Sequence, residues 1–327
     1  MKHVTKLNPP SAFSFSCLAA AAGSLVCLFT LTGFAGGWFW MFELTSHFRV
    51  QYTAILLVLA VGFLCVKRWR WGAIFLAFGL LNGWLLLPYL RVTEAERATA
   101  GPTIKLLAWN VNSSNEDFEE LSRLLAREEP DVVLLMEVSP RWERFLATGL
   151  TGYPHQQIAA RDDNFGIALL SKLPLANAQT LYLGEAGVPS VQSRLLVDGL
   201  NIEFLGTHPL PPVGSLRSRL RDEQLHSVAA WVNRQTNAVV VAGDLNATPW
   251  SPLFRNFTEI TKLKNSAEGR ALNGTWPAFF KPMLIPIDHF LHSPEVVVAR
   301  REILSAAGSD HLPQVVELGA AKQPVNP

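Results

Sequence analysis

Two hydrophobic patterns divide this chain. From about residue 13 to residue 90, Leu, Ala, Phe, Val and Trp follow one another with few charges; beyond residue 100, short apolar runs alternate with polar and helix-periodic segments. The first part holds apolar stretches at about 15–34, 52–66 and 71–90. Crossing a bilayer core takes roughly 20 apolar residues. The pattern therefore predicts a bundle of about three transmembrane helices over residues 1–91, the middle one the shortest. A cleavable leader is the competing reading of the first stretch, yet two later stretches would still anchor the mature chain.

Residues 92–102 are small and polar and end in Gly-Pro, as a linker does. Residues 104–109 then read as a strand. Phe118, Leu121, Leu124 and Leu125 recur at helical spacing, which predicts a helix over 114–127 capped by Ser114 or Asn115. The continuous apolar run of residues 132–136 fits a strand in a sheet covered on both faces. Further strands are expected at 165–170, 193–197, 202–205, 238–242, 285–291 and 313–318, with a helix over 216–233. No internal repeat points to a solenoid. The pattern fits a layered α/β domain over residues 103–319 with flanking helices, followed by a tail at 320–327.

The apolar runs share a second property. LLAWNVN, VVLLMEV, EFLGTHP, VVVAGDLN, PIDHFLHS and GSDHLP each place Asn, Glu, His or Asp where apolar residues stop. Ligands of open α/β sheets collect at the carboxyl ends of strands. The recurrence reads as one active site assembled from at least five segments.

Charge sets the orientation and narrows the partners. Lys2 and Lys6 precede the first apolar stretch, and Lys67, Arg68 and Arg70 fill the loop between the second and third, whereas the loop of residues 36–50 offers only Arg49. By the positive-inside bias the amino terminus faces the cytoplasm. Three spans then send the remainder to the periplasmic or extracellular side of an inner or plasma membrane. That remainder carries 20 Lys and Arg against 24 Asp and Glu, a net charge of −4, without a long basic run. Grip on nucleic acid relies on clustered basic residues, and only Arg217, Arg219 and Arg221 offer a local patch. Cys17, Cys27 and Cys65 all fall in the apolar stretches, so the catalytic part has neither a disulfide framework nor a cysteine metal site.

Six pieces carry a resemblance: Trp109-Asn110-Val111-Asn112, Glu137, Thr207-His208, Gly243-Asp244-Leu245-Asn246, Ile287-Asp288-His289 and Ser309-Asp310-His311. In this order they resemble the endonuclease/exonuclease/phosphatase superfamily, which includes DNase I-like nucleases, abasic-site endonucleases, sphingomyelinases and inositol-phosphate phosphatases. The resemblance implies a DNase I-like four-layered α/β sandwich and metal-assisted phosphate-ester hydrolysis. It assigns Glu137 to the divalent cation, with Asn110, Asn112 and Asp310 contributing; oxygen ligands suit Mg²⁺ or Mn²⁺. Several members carry Asp where this chain has Asn112, which removes a carboxylate from the site.

By the same resemblance, Asp244 aligns or deprotonates the attacking water, Asn246 holds the nucleophile and phosphate, and His208 protonates the leaving oxygen or stabilises the pentacoordinate phosphorus. Asp288 and His311 form a carboxylate–imidazole pair, while His289 is a packed histidine. Arg217 and Arg221, one helical turn apart, either reach substrate phosphate or are solvated. The inositol-phosphatase signature before the last strands is absent from PMLIPIDHFLHS. The expected function is a membrane-anchored, metal-dependent phosphodiesterase of nuclease-like type. A phospholipid or sphingolipid phosphodiesterase and a noncatalytic membrane scaffold are the alternatives.

Overall fold

The computed structural model describes residues 15–90, 101–197, 199–270, 273–305 and 308–321. Lys2, Lys6, most of the expected linker and most of the expected tail lie outside the described residues.

Beyond residue 100 the alternating runs become two six-stranded sheets. The first has the order β11-β12-β1-β2-β4-β3, made of β1 (Ile104–Asn110), β2 (Val132–Met136), β3 (His155–Ala159), β4 (Ile167–Ser171), β11 (Val296–Ile303) and β12 (Gln314–Ala320). The second has the order β5-β6-β7-β8-β10-β9, made of β5 (Ala176–Tyr182), β6 (Pro189–Val197), β7 (Leu200–Thr207), β8 (Ala238–Asp244), β9 (Lys264–Asn265) and β10 (Asp288–His292). At the centre of the first, β1 runs parallel to β2 and antiparallel to β12. At the centre of the second, β7 runs parallel to β8, and β8 antiparallel to β10.

Alternation along the central strands decides the layering. Leu106, Leu134, Leu169, Phe204, Val240 and Phe290 come from both sheets and form one buried cluster between them. Burial of each such side chain contributes about 1.5–3 kcal/mol. The opposite face of the first sheet, with Leu107, Trp109, Val133 and Leu135, is covered by α5 (Phe118–Glu128) and α6 (Pro140–Gly149). The outer face of the second, with Leu205, Val239, Val241 and Leu291, is covered by α7 (Ser215–Asn233) and α8 (Pro252–Thr261). Helix, sheet, sheet and helix give the four-layered sandwich that the resemblance implies.

The start of α5 differs from the expected one. Asp117, rather than Ser114 or Asn115, caps it by accepting from the Glu120 amide. Asn115 is engaged in the preceding turn, donating to the Val111 carbonyl and accepting from the Asp117 amide.

The amino-terminal part contains α1 (Phe15–Phe34), the short α2 (Trp40–Leu44), α3 (Arg49–Cys65) and α4 (Trp69–Leu90). Two of these, α1 and α4, are long and apolar enough to cross a membrane. The expected middle span is α3, whose 17 residues at about 1.5 Å each fall short of a hydrocarbon core of roughly 30 Å. A polar knot joins the helices: Arg49 donates to the Thr30 carbonyl and to Asn82 Oδ1, both at 2.9 Å, and Asn82 Nδ2 donates to Thr30 Oγ1.

The helices are also seated on the sandwich. Arg221 of α7, fully buried, is ion-paired with Glu43 of α2. His47 Nδ1 meets Thr248 Oγ1 at 3.1 Å, and Trp250 Nε1 donates to the His47 carbonyl at 3.0 Å.

Candidate active site

Strand polarity brings the polar ends of the apolar runs to one edge. Asn110 ends β1, Glu137 follows β2, His208 follows β7 and Asp244 ends β8. Asp288 opens β10 directly opposite Asp244 in the register, and residues 309–311 lead into β12 beside the end of β1. Ser309 Oγ donates to the Asn110 carbonyl at 2.7 Å and accepts from the His311 amide, while Trp109 Nε1 donates to the His311 carbonyl. These bonds fix the last loop to the first strand. Glu137, His208, Asp244, Asp310 and His311 line a cleft of about 550 Å³, with Asn110 and Asp288 buried behind them.

Three of these residues have left-handed backbone: Asn112 at φ 62°, Glu137 at 60° and Asn246 at 49°. Asn tolerates that region; for Glu it is uncommon and costs free energy. Strain at Glu137 turns its carboxylate back toward β1, where Oε1 accepts from Asn110 Nδ2 at 3.0 Å and Oε2 from the Ser113 amide at 3.1 Å. The same Asn110 amide group lies 3.4 Å from Asp244 Oδ2, so it bridges two carboxylates.

On the other side of Asp244, His311 Nδ1 donates to Asp288 Oδ2 at 2.9 Å, which leaves Nε2 3.6 Å from Asp244 Oδ2. His208 Nε2 is 3.5 Å from the same oxygen, with its ring against Phe165. Burial works to lower the His311 pKa, but the charges of Asp288 and Asp244 outweigh it and hold the imidazole well above its ordinary value. Burial and the nearby Asp288 push Asp244 upward. Asp288 feels the same burial, yet the His311 charge and hydrogen bond hold it below the usual carboxylate range. Burial takes the His208 imidazole down to about 4, so it is neutral at pH 7.

The charge balance makes the metal question testable on the chain itself. Glu137 is raised by burial, partly offset by Asn110 and Ser113, and Asp244 is raised as well. Two carboxylates raised by burial and facing one cleft would be held in their charged form by a divalent cation, for which the hard oxygen donors here are suited. The residues therefore fit such a group, with Glu137 and Asp310 as its holders; Asn110, whose Oδ1 accepts from the Asn112 amide, orients Glu137 through its Nδ2. Ligand atoms of Asp244, Asp288 and His311 also lie within 4.8 Å of one another. There, however, His311 and Asp288 are already hydrogen-bonded to each other, which marks an acid–base group rather than a cation seat.

Two further sequence expectations change. Asn112 is not free to bind a cation: its Nδ2 donates to Asp310 Oδ1 at 2.9 Å, and its Oδ1 accepts from the amide and hydroxyl of Ser114. It positions Asp310 instead. Arg221 does not face substrate, because its guanidinium is buried between Glu43, Asp222 and the Asn246 carbonyl. Arg217, by contrast, is exposed and lines the cleft. Asn246 also lines it, with its amide nitrogen bonded to Asp244 Oδ1 and its Nδ2 to the Pro209 carbonyl. His289 is buried and packs between the Ala247 carbonyl, Asn265 and Phe254.

Sequence reasoning missed Trp276, whose Nε1 donates to Asp310 Oδ2 at 2.9 Å and whose ring lies 6.5 Å from that of His311. It sits in an irregular stretch with no periodicity to mark it. Also missed were Leu44 and His47, which line the cleft from the amino-terminal part. Ionisable residues between apolar stretches, Glu43 and His47 here, were the available signal.

The model of the endonuclease/exonuclease/phosphatase family matches residues 107–311, and the chain belongs to that family. Its superfamily consists of hydrolytic phosphoesterases. Comparison with curated proteins finds no match. Among solved structures, D. rerio TDP2 complexed with single-strand DNA product is 15% identical with a TM-score of 0.56, covering 67% of this chain and all of that one (100%). An endonuclease/exonuclease/phosphatase from Beutenbergia cavernae is 20% identical with a TM-score of 0.55, covering 69% and 74%. Sphingomyelinase C from Streptomyces griseocarneus is 17% identical with a TM-score of 0.50, covering 66% and 99%. At these identities the likeness is one of fold.

Proposed function

We propose that the protein is a membrane-anchored, divalent-metal-dependent phosphodiesterase whose catalytic sandwich faces the periplasmic or extracellular side. The observation that carries this reading is the buried Asp288–His311–Asp244 row beside the Asn110–Glu137 pair. Such a row holds and moves a proton next to a site built to bind a phosphate's counter-charge.

Asp288 holds the Nδ1–H of His311, and the raised imidazole stays charged with its Nε2–H toward Asp244, whose carboxylate accepts a proton from the attacking water. The water oxygen bonds to phosphorus, the ester P–O bond opposite breaks, and the departing oxygen takes up a proton from solvent. Neutral His208, against Asp244, stabilises the oxygens on phosphorus by hydrogen bonding, and Asn246 orients the water or the phosphate. Glu137 and Asp310, with Asn110 orienting Glu137, would hold Mg²⁺ or Mn²⁺, which would supply Lewis-acid polarisation of the phosphoryl oxygen.

The anchoring part of the reading rests on the two long apolar helices and on the Lys67, Arg68 and Arg70 loop, which favours the cytoplasmic side. If α3 also spans, with local bilayer thinning, α4 ends outside. The test uses the full chain in detergent with bis-p-nitrophenyl phosphate, with Mg²⁺, with Mn²⁺ and with chelator. Metal-dependent turnover that Asp244→Asn removes is expected. Equal turnover in chelator sinks the metal-dependent reading. Protease accessibility of the sandwich in sealed cells tests the orientation.

A further inference from the structure

The cleft is not made by the sandwich alone. Leu44 and His47, at the end of α2 and in the turn before α3, form part of its wall. That wall is held by the Glu43–Arg221 ion pair and by the bonds joining His47 to Thr248 and Trp250. With α1 ending at Phe34 and α3 beginning at Arg49, the membrane-anchored reading puts this wall at the level of lipid headgroups.

A second segment arrives at the same level from the sandwich. Gln51, in the first turn of α3, donates to the carbonyls of Pro282 and Leu284. This places the turn around Lys281–Met283 alongside α3. The turn presents Phe279 at 80% exposure and Phe280 at 52%, next to the exposed Lys281. Large exposed aromatics beside a Lys suit an anionic lipid interface, where rings enter the headgroup boundary and the ammonium stays at the phosphates. Trp38, at 89% exposure, offers the same chemistry at the end of α1. Leu44 and His47 line the cleft from the amino-terminal part, and Ile285 and Trp276 from the segment that holds the Lys281 turn.

We infer that the substrate is a phosphate diester carried on a membrane lipid, which enters the cleft from the bilayer between the Leu44–His47 wall and the Phe279–Met283 turn. This inference rests on the phosphodiesterase reading above and leaves its chemistry unchanged: water bonds to phosphorus, one P–O ester bond breaks and the leaving alcohol takes up a proton. The electrostatics agree with a lipid rather than a nucleic acid. Among the described residues, Arg217 is the one Lys or Arg lining the cleft, and a polyanion needs many.

The test reconstitutes the full chain in phosphatidylcholine vesicles and compares two diesters with the same leaving group, hexadecyl p-nitrophenyl phosphate in the bilayer and methyl p-nitrophenyl phosphate in solution. The expected result is at least about tenfold higher kcat/KM for the hexadecyl ester. The double variant F279S/F280S, whose side chains do not line the cleft, should lose that preference while its turnover of the methyl ester and its thermal midpoint stay unchanged. Equal kcat/KM for both esters in the parent overturns the inference, as does a single-stranded oligonucleotide hydrolysed at lower KM than the hexadecyl ester. An equal loss on both esters in the variant also overturns it. Hydrolysis of neither ester overturns the phosphodiesterase reading itself, and the lipid inference falls with it.

Discussion

At the scale of single residues, the site turns on which polar atoms are already committed. His311 Nδ1 is committed to Asp288, while Nε2 faces Asp244 across 3.6 Å. Replacing His311 by Gln keeps a polar side chain there but removes the charged imidazole beside the proton-accepting Asp244, and such acid–base groups contribute on the order of 10²- to 10⁴-fold in comparable sites. Turnover of bis-p-nitrophenyl phosphate should fall within that range, with circular dichroism showing the parent's fold and a lower thermal midpoint, because Asp288 loses its charged partner. The same accounting separates what sequence made legible from what it did not. Asn110, Glu137, Asp244, Asp288 and His311 stood out because each is polar at the end of an apolar run, and the structure gathers all five. Arg221 and Asn112 looked equally eligible, but their roles depend on partners far away in sequence: Glu43 is 178 residues from Arg221, and Asp310 is 198 from Asn112. No local pattern encodes such pairings.

His289 shows a committed residue acting on stability. Its Nε2 donates to the Ala247 carbonyl and its Nδ1 accepts from Asn265, so the ring is held neutral; burial takes its pKa from 6.5 to about 4. The unfolded chain takes up the proton as pH falls below about 6.5, whereas the folded chain does so only near 4. Stability from this group is therefore full above 6.5 and is lost as pH drops toward 4. In His289→Gln, the decline of the thermal midpoint between pH 6.5 and 4.5 should be shallower than in the parent. An identical slope would show that the ring is not buried as a neutral group.

At the scale of elements, the central strands were legible because both faces are buried, which makes the runs continuous. The edge strands β3, β5 and β11 were not, since their half-exposed residues mix polar and apolar types. Helices α6 and α8 were missed although each carries a start signal. Ser139-Pro140 and Ser251-Pro252 place a hydroxyl cap before a proline at the first helical position. The end of β8 rests on Gly243, whose φ is +139° and where a side-chain methyl would stand only 2.0 Å from the Thr207 carbonyl oxygen. Gly243→Ala must push β8 from β7 in the strand that ends at Asp244. A loss on the order of 2–4 kcal/mol is expected in denaturant unfolding, with activity falling as well.

At the scale of the whole molecule, apolar composition alone divides the chain into an apolar helical part and a layered α/β part, and the structure joins the two through polar contacts that composition does not show. Glu43, with α2, fills one side of the buried Arg221, and the 45–48 turn covers Thr248 and Trp250 in the loop that follows Asp244 and Asn246. Without the amino-terminal helices Arg221 keeps Asp222 and the Asn246 carbonyl as partners but loses Glu43 and its cover from solvent. The fragment 101–327 would also open the cleft at the Leu44–His47 wall to water. A tether that only concentrates enzyme at the membrane leaves hydrolysis of a soluble ester untouched when it is cut away. Here kcat/KM for methyl p-nitrophenyl phosphate should fall about tenfold or more in the fragment, because the Asp244–Thr248 loop has lost its support. Calorimetry should still register Mn²⁺ binding, since Glu137 and Asp310 are held by bonds within the sandwich. Parent-level activity of the fragment on the soluble ester would reduce the amino-terminal helices to an anchor.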